Sequence, residues 1–521
     1  MRVRPSPPSP LKGRGSQSQG LPAIAIWPVG RLVALALPAP GRVAEGREGA
    51  IPRPTIPDSD GERIEAVPGT RGRWQRWRIH LSPRLRLIAL RVLELAAVFA
   101  AVVLGRMYAV THWKLTSGDV IEYNTYAQAF WLTHPPLHQL PVEYPPLAIL
   151  PFSLTLLPPI VDIQTVFSLW MAAFVTIGYA GFLRFSTRRK GLIYLLYLLL
   201  GSDAVLTARF DIVPALVTLA ALWATERKHF TLAYLLLALG ILLKLYPAFL
   251  LPVVMIAHWQ AIRAAHPAGW RWHDGARALA AFVRRDPAVR AVATGMALCL
   301  GMVALAFACA MALAGSAALS GFTYASDRPL QIESTPATVL WLGTLVGIPA
   351  HPEFSFISLN MVGPLDVALK PLSAVALVAG CLFVYWRQLR GRLTIGQAML
   401  ACLCAVILTN KIFSPQYIIW VLPIVAAVEG FSLLWAAIGV LTTLDFPIVY
   451  GLRAPIWDSP FSWQFMPVIA ARNLLLLYAT LRAMFRWRRK TAARAPEPGT
   501  ALNEADETEI GKIEGLTHGV R

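Results

Sequence analysis

About a dozen apolar runs, each near the ~20 residues a helix needs to cross a bilayer, constrain this chain more than any other feature. They fall at roughly 87–110, 145–160, 163–185, 190–207, 211–226, 229–244, 246–262, 289–315, 366–387, 393–410, 415–429, 431–450 and 465–486, with a shorter run at 336–350 that reads as re-entrant. In lipid a helix satisfies all its own backbone groups, so such runs read as membrane spans. Composition agrees. The 521 residues are 56% hydrophobic and 15% charged, where a soluble domain carries about 25% charged residues. The fold class expected is all-α: a polytopic membrane protein of about 11–13 transmembrane helices, with an amphipathic helix in its first outer loop.

The net charge of +19 invites a nucleic-acid reading, but its placement argues against one. Residues 1–86 hold 15 Lys and Arg against 6 Asp and Glu, and the remaining clusters sit in short connections: Arg184–Lys190, Arg263–Arg290, Arg387–Arg392 and Arg486–Arg494. That is the basic bias of a cytoplasmic membrane face. It puts 184–190, 226–228, 263–290, 387–392 and both tails inside. Residues 111–144, 201–211, 316–335, 351–365, 410–416 and 451–464 fall outside. One conflict stands. Two crossings between 145 and 185 would put Arg184–Lys190 outside, so either the proline-rich run 145–160 does not fully cross or the cluster breaks the rule.

Residues 1–80 are rich in Pro, Gly, Ser and Arg without apolar periodicity and read as a disordered basic tail. Residues 85–488 form the transmembrane domain, and 489–521 a polar C-terminal tail. The cysteines (Cys299, Cys309, Cys381, Cys402 and Cys404) all lie in apolar runs without zinc-site spacing, and read as small core residues.

The polar residues gather in the outer loops. In "GDVIEYNTYAQAFWL", Asp119, Glu122, Tyr123 and Tyr126 recur at helical spacing. Asp119 can cap that helix or act on a substrate. In "HQLPVEYPPLAILPF", Glu143 and Tyr144 stand directly before Pro145 and Pro146. Proline suits a first helical turn, which explains the prolines but not the acid beside them. His134 and His138 flank prolines and do not share a helical face, so no metal site is expected. "ARFDIVP" places Arg209 and Asp211 between apolar runs, and "LLKLYPAF" buries Lys244 beside Tyr246 and Pro247. "DRPLQIESTP" holds Asp327, Arg328, Gln331 and Glu333, and "TNKIFSPQYIIW" holds Lys411, Ser414 and Gln416. An ionisable group at membrane depth is costly and points to function, although Lys244 could instead snorkel to an interface. Arg209, Lys244 and Lys411 on one side of the membrane suit a lipid-linked phosphate. A carboxylate nearby suits a general base acting on a hydroxyl.

In order and spacing, "GDVIEYNTYA", "LPVEYPPLAILPF", "RFDIVPAL", "LGILLKLYPAFLLP", "RPLQIES" and "FSPQYIIWVLP" resemble glycosyltransferase family 87, polytopic enzymes of the GT-C type that include polyprenol-phosphate-mannose-dependent mannosyltransferases. The resemblance runs from about 85 to 488. It implies a multi-pass enzyme of the bacterial cytoplasmic membrane, with its site on the outer face. The sugar, mannose as first choice, would pass from a polyprenyl-phosphate donor to a glycolipid or glycan acceptor. The family's catalytic acid falls on Asp119, its E-Y-P-P-L on Glu143–Leu147, and its lysine before Tyr-Pro on Lys244. Asp119 stands without the Asp-X-Asp of some other GT-C enzymes. The donor phosphate would meet Lys244, Arg209 and Lys411. Glu122, Glu143, Tyr144, Asp211, Tyr246, Gln331, Glu333 and Gln416 would contact substrate. No cofactor beyond the lipid-linked donor is expected. The alternative is a lipid or solute transporter, which would distribute its polar residues through both halves of the membrane, often in repeated broken helices.

Overall fold

A chain crossing lipid must close its backbone hydrogen bonds within each segment, and the apolar runs do so as helices. The computed structural model describes residues 82–113, 118–134, 137, 139–141, 143–159, 162–265, 286–449 and 465–485. Both tails, His138 and the connections at 266–285 and 450–464 lie outside them. The first helix, α1 (Pro83–Trp113), is followed by α2 (Gly118–Leu132), which carries the polar "DVIEYNTY" sequence.

The run at 145–160 does not cross. It breaks into a turn at Pro146–Ala148, a short α3 (Ile149–Ser153) and a second turn at Leu154–Leu156. Even fully helical, eleven residues would rise only about 17 Å, far short of a ~30 Å hydrocarbon layer. Trp131 Nε1 donates to Ser153 Oγ at 2.6 Å, and Trp170 Nε1 donates to the Leu157 carbonyl at 2.6 Å. These bonds hold the piece against α2 and against the early part of α4 (Ile163–Phe185), whose N-terminus Asp162 caps. α1 and α4 are therefore antiparallel. Glu94, early in α1, accepts from Tyr179 at 2.5 Å, late in α4, and from Arg188 at 2.6 Å. Arg184–Lys190 thus shares the face on which α1 begins, and the conflict over this cluster disappears.

The chain continues through α5 (Arg188–Leu206), α6 (Ile212–Glu226), α7 (Phe230–Leu243), α8 (Leu251–Ala265) and α9 (Pro287–Ala314). Beyond these come α10 (Ser320–Asp327), α11 (Thr335–Thr344), α12 (Asp366–Leu389), α13 (Ile395–Thr409), α14 (Leu422–Val428), α15 (Leu433–Thr443) and α16 (Met466–Phe485). Among the described residues, six helical stretches are long and apolar enough to cross a membrane, and shorter apolar helices run among them. The basic connections meet on one face. Arg227 donates to the Phe185 carbonyl at 2.9 Å, Lys190 Nζ to the Ala427 carbonyl at 2.6 Å, and Gln260 to the Gln388 carbonyl at 2.9 Å.

Small residues set the closest approaches, as in other helix bundles in lipid. A Cβ on Gly201 would lie 3.1 Å from the Gly439 Cα, so α5 and α15 touch backbone to backbone. Among the described residues, the chain departs from helix opposite the basic face. β1 (Leu330–Gln331), β2 (His351–Ser355) and β3 (Ser358–Val362) form an antiparallel sheet in the order β1-β3-β2. The run at 336–350 holds α11, capped by Ser334 and followed by a turn.

A buried ion pair ties this sheet region to the bundle. Arg472 of α16 donates to Asp445 Oδ2 at 2.6 Å, and both side chains are fully buried. Arg472 also donates to the Glu333 carbonyl at 2.6 Å and lies 4.3 Å from the centre of the Phe413 ring. Removing one partner leaves a buried charge uncompensated, so Arg472→Met should cost about 3–5 kcal/mol. Adding Asp445→Leu to that variant should recover most of the loss. Thermal unfolding of the detergent-solubilised variants checks this, and a double variant no more stable than Arg472→Met would contradict it.

Candidate active site

Helix α7 has 14 residues and rises about 21 Å. It ends at Lys244, which turns to an extended conformation, and Pro247 follows in the next 3-10 turn. Lys244 therefore leaves its helix inside the protein. Its ammonium lies 2.5 Å from Asp211 Oδ1, which also accepts from Trp420 Nε1 at 2.6 Å. Asp211 is buried at the start of α6. Four rings surround the ammonium, with centres at 4.9 Å (Trp420), 5.0 Å (Phe210), 5.2 Å (Tyr417) and 5.8 Å (Tyr144). A desolvated cation needs this combination of a counter-ion and ring faces. The snorkelling alternative does not describe this site.

The connection before α6 supplies a second pair, Arg209 with Asp119. Asp119 lies inside the first turn of α2, and both side chains are partly accessible from the space beyond.

Asp119, Glu122 and Glu143 contribute to the wall of one cavity of about 340 Å³, as do Arg209, Lys244, Arg328 and Lys411. Tyr144, Tyr246, Gln331 and Gln416 also line it, so every residue expected at the site except Asp211 and Glu333 reaches this space. Asp211 sits directly behind it as the counter-ion of Lys244. Glu333 is turned away. The strand ends at Gln331, the Ser334 N–H donates to the Gln331 carbonyl, the Glu333 backbone carbonyl accepts from Arg472 and Asn473, and the Glu333 side chain is buried. Burial, with Asp445 nearby, pushes its carboxyl up to about 8.

The Glu143 carboxyl also lies above its ordinary range. Burial is the first cause and the neighbouring Glu122 charge the second, opposed by Tyr324, Arg328 and Lys244. Tyr324 donates to the Phe356 carbonyl at 3.1 Å and borders the cavity. Arg328, Tyr324, Asn410, Tyr417 and Trp420 join the lining without having been expected there. Arg328 lies in "RPLQIES", while Tyr417 and Trp420 lie in "SPQYIIW", so each belonged to a motif already singled out. Among the described residues, no three His, Cys, Asp or Glu side chains are grouped to hold a metal ion.

Polar residues contributed by helix ends and loops thus converge on one cavity, opposite the basic face. Residues 143–270 match glycosyltransferase family 87. The match marks the chain as a membrane glycosyltransferase. It begins at Glu143 and contains Arg209, Asp211, Lys244 and Tyr246, whereas Asp119, Arg328 and Lys411 lie outside the matched stretch. No curated protein matches the chain.

Glu333 gives this region a pH dependence. Its raised folded-state value means that the folded protein holds a proton that the unfolded chain releases above about 4.3. The stability it confers is complete below that pH and is lost as pH rises towards 8. Between about pH 6 and pH 9 the melting temperature of the parent should therefore fall more steeply than that of Glu333→Gln, which mimics the protonated form. Equal slopes would remove Glu333 as the source.

Proposed function

We propose that the protein transfers a hexose, mannose as first choice, from a polyprenyl-phosphate sugar to a hydroxyl of a glycolipid or glycan acceptor on the outer face of a bacterial cytoplasmic membrane. The observation that carries this reading is one cavity, opposite the basic face, whose wall holds both Asp119 and Glu143 and four cationic side chains. The positive-inside bias makes the basic face cytoplasmic and puts the cavity outside. Nucleotide sugars are absent there, so a lipid-linked donor is the natural reactant. Leu245, Phe249 and Val406 add apolar lining suited to the lipid end of such a donor.

In this reading Asp119 accepts the proton of the acceptor hydroxyl. The acceptor oxygen forms a bond to sugar C1, the C1–O bond to phosphate breaks on the opposite side, and the electron pair leaves with polyprenyl phosphate. The configuration at C1 inverts. Arg209, paired with Asp119, keeps its carboxylate oriented. Glu143 and Gln331, which line the cavity, hold sugar hydroxyls in this reading. A transporter would need polar groups accessible from both faces, whereas these converge on one.

Purified protein in lipid, given polyprenyl-phosphate mannose and bacterial lipid extract, should form a mannosylated product. Asp119→Asn should lower turnover by ~10²–10⁴-fold while donor binding stays near that of the parent. A variant turning over at more than about a tenth of the parent rate would exclude Asp119 as the base; Glu143→Gln would then be expected to take the loss.

A further inference from the structure

The four cations of the cavity differ in their partners. Arg209 is paired with Asp119, and Lys244 with Asp211 inside its cage of rings. Arg328 and Lys411 have no carboxylate within ion-pair distance among the described residues. Arg328 donates from Nη2 to Ser358 Oγ at 2.7 Å, and its Nε is buried without a hydrogen-bond partner. Lys411 Nζ donates to the Ser326 carbonyl at 2.7 Å and to the Arg328 carbonyl at 2.9 Å, which leaves one of its three N–H groups over. The Gln331 N–H donates to the Lys411 carbonyl at 2.9 Å. Residues 326–331 and 410–414 are therefore clipped together, with both cations on the cavity wall.

We propose that Arg328 and Lys411 form the subsite for the donor's phosphate, while Lys244 and Arg209 hold Asp211 and Asp119 in place. The proposal rests on the transferase reading above and sharpens it. The donor is a phosphodiester with one negative charge. When C1–O breaks, the departing phosphomonoester carries about −1.5 to −2 at neutral pH. Preorganised cations act most strongly where charge develops, and a cation already neutralised by a carboxylate has less to give. Arg328 and Lys411 are the two that meet this condition. Arg328 also offers a planar fork that fits phosphate oxygens, whereas Lys411 supplies a point charge.

The subsite should bind the leaving polyprenyl phosphate more tightly than the donor. The test compares the parent with Arg328→Gln, Lys411→Met and Lys244→Met. It measures turnover, the inhibition constant of added polyprenyl phosphate, and the melting temperature. Arg328→Gln and Lys411→Met should each lower kcat and raise that inhibition constant by about tenfold or more. Arg328→Lys, which keeps the charge, should recover part of both. Lys244→Met should lower the melting temperature, because Asp211 loses its partner, and leave the inhibition constant of the folded fraction within about threefold. The proposal is overturned if Arg328→Gln and Lys411→Met leave the inhibition constant within about twofold, or if the folded Lys244→Met protein loses product inhibition instead. Inorganic phosphate serves as the control: inhibition equal to that by polyprenyl phosphate would overturn a lipid-phosphate subsite. A parent that transfers no sugar from the lipid donor, yet is bound by polyprenyl phosphate at Arg328 and Lys411, would refute the transferase reading and leave the anion subsite standing.

Discussion

A charged side chain cannot remain at membrane depth without a partner, and the pairing of Lys244 with Asp211 is how this protein meets that constraint. The ammonium leaves α7 at its C-terminal end, and the carboxylate waits at the start of α6. Trp420 donates to the same carboxylate oxygen from the turn after Pro415. Three separate segments are thereby fastened around one ion pair. The rings that face it, Phe210, Tyr144, Tyr417 and Trp420, come from three polar-to-apolar junctions of the chain. The cavity is built on this floor.

The same local device recurs around it. Lys244 stands just ahead of Pro247, Lys411 ahead of Pro415, and Glu143 ahead of Pro145 and Pro146. A proline near the start of a helical turn costs little, since the first N–H groups have no helical partner. The preceding helix or loop must end there, which frees backbone groups that are tolerated only where they line a cavity or find partners in protein. Helices broken at one end of a bundle thus bring charge and open backbone to the same place. The opposite face, with its arginine-rich connections, does the reverse: its guanidinium and ammonium groups close off carbonyls at helix ends, as Arg227 does at Phe185 and Lys190 at Ala427.

Much of this was legible in the sequence, for a physical reason. Length and apolarity specify a spanning helix almost alone, and an ionisable residue in such a run is costly enough to stand out. Lys244 stands out that way, and Arg209 lies between two such runs, whereas Asp119 is singled out by helical spacing in an outer loop and by the family resemblance. What apolarity cannot tell is whether a run crosses or dips and returns, and 145–160 does the second because prolines break it into pieces too short to span. The hairpin of β2 and β3 was hidden as well. Its turn residues, Phe356 and Ile357, both take positive φ without the glycine or asparagine that usually announces such a turn. Glu333 and Gln331 stand in one polar motif and are expected alike to contact substrate. The strand stops at Gln331, and Glu333 is buried off the cavity wall with its backbone carbonyl bonded to Arg472 and Asn473. Arg328 was passed over because an arginine in a polar loop resembles any solvated one until its neighbours are known.

In the proposed reaction one cavity holds the departing phosphate beside Arg328 and Lys411 and the attacking hydroxyl beside Asp119. The most direct measurement is a cryo-EM map of the protein in lipid nanodiscs with a non-transferable polyprenyl-phosphate mannose analogue bound. Phosphate density is expected within hydrogen-bond reach of the Arg328 guanidinium and the Lys411 ammonium, with the sugar extending towards Asp119. Phosphate density against Lys244 in place of Asp211, or a donor bound on the basic face, would contradict it.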